Sequence, residues 1–304
     1  MSIPAVFEQL AVHRIARVDP TDAPILENCG IAVRDGKAVL DRDVELLQAD
    51  RIRDRLGERA RAWLKRLCVL AHVDSTNSAL MRAASWRDID GEVLMAEVQT
   101  AGRGRRGRDW ISPFGRNLAM SLGVRIDRPL RDIGAVGLAV GLGVADALTA
   151  AGVRDARLKW PNDVLLGTRK LCGILIELPA AKEPPCVVIG VGINVGGMAA
   201  VASLVDQAVA DVTEQLPAAS RNRLASMVVD AVHDKCERFE RYGFARMKPV
   251  YDSLHRFHGE SVRLVAGKEE VTGTVAGVGL DGALQLQTRG GIRNFVGGEV
   301  SLRT

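Results

Sequence analysis

Apolar positions fall into blocks whose spacing alternates between the period of two of a half-buried strand and the 3.6 of an amphipathic helix. Residues 31–40 read as two short strands around the turn Asp35-Gly36, and residues 50–67 as a helix rich in Arg, Leu and Ala. A larger domain begins near Leu67. It opens with a strand at 69–73; Asp74, Ser75 and Thr76 then offer N-caps to a helix whose apolar face holds Leu80, Ala83 and Ala84. Strands at 92–98 and 117–124 flank a loop of arginines and glycines. Residues 133–151 form a buried helix carrying Gly134, Gly137, Gly141 and Gly143. Glycine costs about 1 kcal/mol in a helix interior, so another backbone is expected to pass very close. Strands at 157–160, 163–166 and 172–178 make a meander turning at Pro161-Asn162 and Gly167-Thr168, and a further strand spans 186–193. A long helix over 219–240 closes the domain, with apolar residues at 224, 227, 228, 231 and 232.

The period then changes. Short strands at 261–265, 270–276, 283–288, 291–296 and 299–302, broken by Gly267-Lys268, Asp281-Gly282 and Gly290-Gly291, predict a small all-β barrel of about fifty residues. With no repeat and no low-complexity linker, this module is expected to pack tightly on the large domain. Two stretches imitate membrane spans. Residues 133–145 are uncharged but too short to cross a bilayer. Residues 184–205 are long enough, yet they start Pro-Pro and contain Gly190, Gly192, Asn194, Gly196 and Gly197, which suits a strand, a turn and a helix better. No membrane association is expected.

A chain of 304 residues has room for a large core plus a smaller module, and 47% hydrophobic with 26% charged residues excludes a mostly disordered or collagenous chain. A net charge of +4 is too small to imply nucleic acid. Its distribution says more: residues 99–131 hold eight arginines against Asp109 and Asp127, whereas the first sixty residues hold nine basic and eleven acidic side chains. An anionic ligand is therefore expected in the middle of the chain. Cys29, Cys68, Cys172, Cys186 and Cys236 are widely spaced and without CxxC, as buried thiols in a reducing compartment would be. No secretory signal opens the chain, so the cytoplasm is the expected location.

The sharpest segment is QTAGRGRRGRDW at 99–110. Its GxGxxG invites a dinucleotide-fold reading, but that site needs a helix after the last glycine, and Pro113 and Gly115 break the continuation. A solvated charge run, a nucleic-acid contact and a flexible loop folding over a phosphate-bearing intermediate remain. Guanidinium forks fit phosphoryl oxygens, glycines leave backbone N–H groups free, and Trp110 can cover an apolar or aromatic part, which favours the last. Lys159 and Lys170 stand on adjacent strands of the meander beside strong turn signals, so both can converge on one face. GVGIN at 190–194 supplies a strand end where backbone approaches a ligand closely.

Taken in order, DSTN at 74–77, AEVQTAGRGRRGR at 96–108, Trp110, SPFG at 112–115 with Asn117 and Leu118, KWPND at 159–163, RKLCGI at 169–174, GVGIN at 190–194 and GEVSLR at 298–303 resemble the biotin protein ligases, from Leu67 to the C-terminus. The resemblance implies an α+β fold. A mixed α/β ligase domain related to class II aminoacyl-tRNA synthetases spans 67–255, a small SH3-like β barrel spans 256–304, and a degenerate N-terminal segment and connecting helix spans 1–66. It also implies roles. Ser75, Thr76, Asn77 and Gln99 line the end that takes the ureido ring, a neutral polar group costly to bury unpaired. Gly102, Arg103, Gly104, Arg105 and Arg108 belong to the loop over biotin and the adenylate, and Trp110 helps order it. Lys170 contacts the biotin carboxylate and the phosphate; Lys159, Asn162 and Asn194 serve ATP or the adenylate, and Gly173 and Gly190 complete the binding set.

The implied reaction is two displacements. The biotin carboxylate attacks the α-phosphorus of ATP, giving biotinyl-5′-AMP and pyrophosphate, with Mg²⁺ offsetting phosphate charge and unknown metal ligands. A lysine of the biotin carboxyl carrier protein of acetyl-CoA carboxylase then attacks the mixed anhydride and AMP leaves. Carboxylate and triphosphate repel, so Arg103, Arg105 and Lys170 are the catalytic set, acting by neutralisation and alignment. The loop must exclude water from the anhydride, so it is expected to order on ligand binding. A lipoyl ligase shares this chemistry, and a bifunctional ligase and biotin-operon repressor is the other alternative. Against the latter, residues 1–27 carry Pro4, Pro20 and Pro24 and are too short for the three helices of a winged helix-turn-helix, while residues 28–47 only vaguely resemble its wing. No specific DNA binding is expected, and the chain is a monomer or homodimer.

Overall fold

Residues near the N-terminus build a small unit of their own in the computed structural model, which describes residues 2–179 and 184–302. Helix α1 (Ile3–His13) carries Pro4 in its first turn, ends where Arg14 turns left-handed, and buries Val6, Phe7 and Leu10. Strand β1 (Ile15–Arg17), helix α2 (Ala23–Asn28) and the hairpin β2 (Val33–Arg34) and β3 (Lys37–Val39) follow, and the strands pair antiparallel in the order β1-β3-β2. The hairpin turns at Asp35-Gly36, as its sequence predicts, with both residues at positive φ. This segment is an ordered, docked unit. Its core continues into the larger domain through Ala71, Val98 and Phe114, and Phe7 stacks on Phe114 at 5.6 Å. The single helix expected over 50–67 is two, α3 (Ala49–Asp54) and α4 (Glu58–Trp63), because Gly57 interrupts them and gives its N–H to Asp230 at 3.0 Å.

The larger sheet takes β4 (Arg66–Leu70), then, after α5 (Thr76–Ala83), β5 (Glu92–Ala96) and β6 (Leu118–Arg125). After α6 (Val136–Ala151) come β7 (Ala156–Lys159), β8 (Asp163–Leu166), β9 (Arg169–Glu177) and β10 (Cys186–Ile193), followed by α7 (Arg221–Tyr242) and α8 (Lys248–Leu254). The strand order is β4-β5-β6-β10-β9-β8-β7; β4 and β5 are parallel and the other pairs antiparallel. Alternation sorts the two faces. Leu118, Met120, Leu122 and Val124 of β6 and Val187, Ile189, Val191 and Ile193 of β10 join the main core with α6 and α7. The opposite face, from Ala119, Ser121, Gly123, Val188, Gly190 and Gly192, is covered in part by α5 through Leu80 and Ala83.

Helix α6 confirms one reason for its glycines. A Cβ on Gly143 would lie 2.9 Å from the Ala231 carbonyl of α7, so the two helices touch through backbone there, while Gly137 and Gly141 meet only side chains at ordinary distance. The stretch Leu130–Ala151 is long and apolar enough to span a membrane by composition, but 72% of its most apolar window is buried inside the protein.

The last five strands are β11 (Ser261–Ala266), β12 (Glu269–Val278), β13 (Leu284–Thr288), β14 (Gly291–Phe295) and β15 (Glu299–Leu302). They form one antiparallel sheet in the order β14-β13-β12-β11-β15. This overturns the SH3-like barrel. Closure requires the edge strands to pair so that no edge remains; β14 and β15 lie at opposite edges, and among the described residues β15 pairs with β11 alone. Of the terminal word GEVSLR, Arg303 lies outside the described residues.

This open sheet is fastened to the larger domain through Trp160, whose Nε1 donates to the Gly282 carbonyl at 2.9 Å and whose backbone N–H donates to Nε2 of His255 at 3.2 Å. Burial, and then the neighbouring His258, push His255 down to about 4. Between pH about 6.5 and about 4 the unfolded chain therefore binds a proton that the folded chain refuses. Stability from this group is complete above the upper value and declines as pH falls to the lower one, by up to about 3 kcal/mol. Urea midpoints at pH 7, 5.5 and 4.5 should fall less steeply in His255→Gln than in the wild type; parallel slopes would exclude His255 as the source.

Candidate active site

Two rows of residues run across β6, β10 and β9 with little side chain between them. Register places Ala119 beside Gly192 and Gly192 beside Gly173; the next row is Ser121, Gly190 and Leu175. These rows, with Ser121 buried beneath the start of α5, floor a cavity of about 130 Å³. Its walls are the start of α5, the arginine-rich loop, the β7–β8 turn and the start of β15.

One end is polar and neutral. Ser75 caps α5 by accepting from the Ser78 N–H at 3.4 Å. Thr76 gives its N–H and hydroxyl to Oε1 of Gln99, at 2.8 and 3.1 Å. Asn77 is buried, its Nδ2 donating to the Leu175 carbonyl at 3.2 Å and to Glu177 at 2.9 Å. The Ser121 hydroxyl lies 2.5 Å from Oδ1 of Asn77 and 2.8 Å from the Thr76 hydroxyl, tying the set together from the floor.

The other end is cationic. Lys170 Nζ stands 2.9 Å from Asp163 Oδ1, and Lys159 ends β7 on the same wall. The loop is a hairpin closed at its neck by Trp110 N–H donating to the Gly102 carbonyl at 2.9 Å and by Gly104 N–H donating to the Arg108 carbonyl at 2.7 Å. Its arginines reach three walls: Arg103 to Glu177 at 2.7 Å, Arg105 to Oδ1 of Asn162 at 3.2 Å, and Arg108 to Glu299 at 2.6 Å. Burial and then Arg106 hold the Arg105 guanidinium below its ordinary value, and the hydrogen bond from Arg108 holds Glu299 below the usual carboxylate range. The Trp110 indole rests on the glycine floor, where a Cβ on Gly192 would come within 2.5 Å of it. Its Nε1 is buried without an acceptor among the described residues.

All the predicted positions line this cavity except two. Gly102 forms the neck of the hairpin, where a Cβ would lie 2.3 Å from the Trp110 carbonyl. Asn194 is buried behind the wall and donates to the Lys170 carbonyl at 3.2 Å, so it acts on the site by holding Lys170. Sequence reasoning missed Ser121, Asp163, Glu177 and Glu299. A lone serine in the apolar strand LAMSLGVR was the available signal for the first; Asp163 and Glu299 sat inside quoted words without a role, and nothing marked Glu177.

Ser121→Ala leaves buried polar atoms of Asn77 and Thr76 a partner short. It is expected to destabilise the fold by about 1–3 kcal/mol and to weaken ligand binding at the neutral end. Thermal melts and calorimetric titration with biotin check this; unchanged values for both would remove Ser121 from the network.

Residues 69–194 match the family model described as the biotin/lipoate A/B protein ligase family, and residues 257–303 that of the biotin protein ligase C terminal domain. The chain is 37% identical over 268 residues to the bifunctional ligase/repressor BirA of Escherichia coli, covering 87% of this chain and 81% of that protein. It is also 37% identical over 250 residues to the biotin–[acetyl-CoA-carboxylase] ligase of Mycobacterium tuberculosis, covering 79% and 89%. Among solved structures, biotin protein ligase from Aquifex aeolicus in complex with biotin and ATP superposes with a TM-score of 0.67 at 30% identity, over 79% of this chain and 99% of that one.

Proposed function

The chain belongs to the biotin/lipoate protein ligase family, as a close relative of the BirA-type biotin protein ligases, and it activates biotin with ATP and ligates it to a biotin carboxyl carrier protein; from that premise we propose how its own residues divide the work. One observation carries the proposal: a single glycine-floored cleft has a neutral hydrogen-bonding end and a cationic end. Biotin has the matching polarity, with a neutral ureido ring and an anionic carboxylate. Thr76, Asn77 and Gln99, held by Ser75 and Ser121, orient the ring. The floor glycines make room for the side chains of Trp110 and Asn77.

Lys170, Arg105 and Lys159 draw the carboxylate and the α-phosphate together and neutralise the repulsion between them, which is electrostatic and positional catalysis without a side-chain nucleophile. Asn162 and Asn194 hold Arg105 and Lys170 in place. Trp110 and the hairpin, with Arg103 and Arg108, cover the mixed anhydride against water until the carrier lysine arrives, and the hairpin tightens on the ligand. Asp163 is engaged by Lys170, whereas Asp109 lines the cleft with an exposed carboxylate and suits Mg²⁺, which takes one or two carboxylates and keeps several waters; bound with ATP it would offset phosphate charge.

We further propose that the N-terminal unit binds no specific DNA sequence. Its first sixty residues are net acidic, which opposes phosphate contacts. Five free cysteines suit a reducing cytoplasm. Pyrophosphate release with biotin against lipoate tests the site assignment: turnover with biotin alone supports it, and preference for lipoate would overturn the fit of the neutral end to a ureido ring.

A further inference from the structure

We propose that Glu177, at the end of β9, is a positioning residue that couples the neutral end of the cleft to the hairpin covering it; the inference rests on the assignment of residues 102–110 as that cover. Its Oε2 accepts from two donors of separate origin, Nδ2 of Asn77 at 2.9 Å and the guanidinium of Arg103 at 2.7 Å. Asn77 sits in the first turn of α5, and Arg103 stands at the base of the hairpin, where its backbone pairs antiparallel with that of Asp109.

An ionised carboxylate only accepts hydrogen bonds. Beside Asn77 it acts with the Leu175 carbonyl to set which way round the amide lies: Nδ2 faces these two acceptors, and Oδ1 faces the Ser121 hydroxyl at 2.5 Å. The same oxygen holds Arg103. One atom therefore bonds both a buried recognition amide and the cover. The hairpin's other two arginine contacts end on Asn162 and Glu299, and neither of these bonds the neutral end. Among the described residues, Glu177 is the side chain that bonds both. If the hairpin lifts and takes Arg103 with it, Glu177 loses its cation and keeps only the Asn77 amide. The retention of the activated intermediate and the binding of biotin are linked through this residue.

The 304-residue chain carrying Glu177→Gln, Glu177→Ala, Arg103→Ala or the Arg103→Ala/Glu177→Gln pair is loaded with biotin, ATP and Mg²⁺. Release of biotinyl-adenylate, KM and kcat for biotin in pyrophosphate release, and Tm are then measured. Glu177→Gln keeps an acceptor for Asn77 but no charge for Arg103, so adenylate release should rise about five- to tenfold with KM nearly unchanged; the pair is partly exposed, which keeps the effect modest. Glu177→Ala should raise release and KM together, each by about tenfold. Arg103→Ala should match Glu177→Gln, and the double variant should be no leakier than either single, the non-additivity of two residues acting through one contact. If Arg103→Ala leaks while both Glu177 variants retain the adenylate and differ from wild type only in Tm, the coupling is refuted and the cover assignment stands. If Arg103→Ala also retains it, the cover assignment fails and the coupling falls with it.

Discussion

Lys170→Ala is expected to slow biotinyl-adenylate formation by about 10- to 150-fold, the loss of one charged hydrogen bond worth about 1.5–3 kcal/mol. The side chain is 16% exposed, and its backbone is fixed on both sides by the Ala208 carbonyl at 3.0 Å and the Ala210 N–H at 2.9 Å. Its ammonium also stands 5.6 Å from the Trp110 ring, between the floor and the cover. Truncation removes a cation and leaves the Asp163 carboxylate facing the incoming triphosphate, so part of the loss is new repulsion. Lys170→Ala/Asp163→Asn should recover some of the rate. Single-turnover pyrophosphate release, with circular dichroism confirming the fold, decides this, and a rate within twofold of wild type would place Lys170 outside the reacting centre.

Arg221→Ala is expected to destabilise the protein by about 3–5 kcal/mol, as breaking one side of a buried ion pair does. Arg221 opens α7 at 4% exposure and gives hydrogen bonds to Glu97 at 2.8 Å, to the Glu45 carbonyl at 2.7 Å and to the Asn117 carbonyl at 3.0 and 2.6 Å. Glu97, at 3% exposure, takes the Leu47 N–H on its other oxygen at 2.6 Å. Glu97 and Asn117 are the points where the chain leaves and rejoins the sheet around the active-site hairpin, so this one guanidinium holds both. Without it Glu97 is an uncompensated charge in the core. Tm should fall on the order of 10 °C. Arg221→Lys should lie between, because a lysine lacks the fork that reaches three acceptors at once. An alanine variant melting within 2 °C of wild type would show that Glu97 finds other compensation.

Strand positions were legible because short apolar runs bounded by turn residues are a local signal. Strands β8, β10 and β15 begin and end where their apolar patterns do, and the glycines of GVGIN mark the face of β10 that floors the site. Barrel closure was not legible, since five strands separated by turns describe an open sheet and a closed one equally well; only the pairing of β15 with β11 alone decides it. The helix expected over 50–67 failed at Gly57, where an interaction with Asp230, far along the chain, rewards a break. The N-terminal unit has the same origin: Val6, Phe7 and Leu10 look sparse until Phe114 supplies the missing wall.

The site divides the same way. Residues in contiguous words were legible as candidates and mostly line the cavity, because glycine loops and strand-end lysines have mechanisms readable in place. Glu177 and Glu299 were not, since a carboxylate at a strand end looks solvated, and their partners Arg103 and Arg108 lie across the cleft.

The central claim is that this cleft couples a neutral recognition end to a cationic reacting end in order to activate biotin. The most direct measurement is intact mass of the full-length chain and a biotin carboxyl carrier domain after incubation with ATP and Mg²⁺, with biotin or with lipoate, for wild type and Lys170→Ala. The account predicts one biotinyl group on a single carrier lysine with the wild type, far slower labelling with Lys170→Ala, and none with lipoate. A carrier left unmodified by biotin, or labelled equally fast by both proteins, would contradict it.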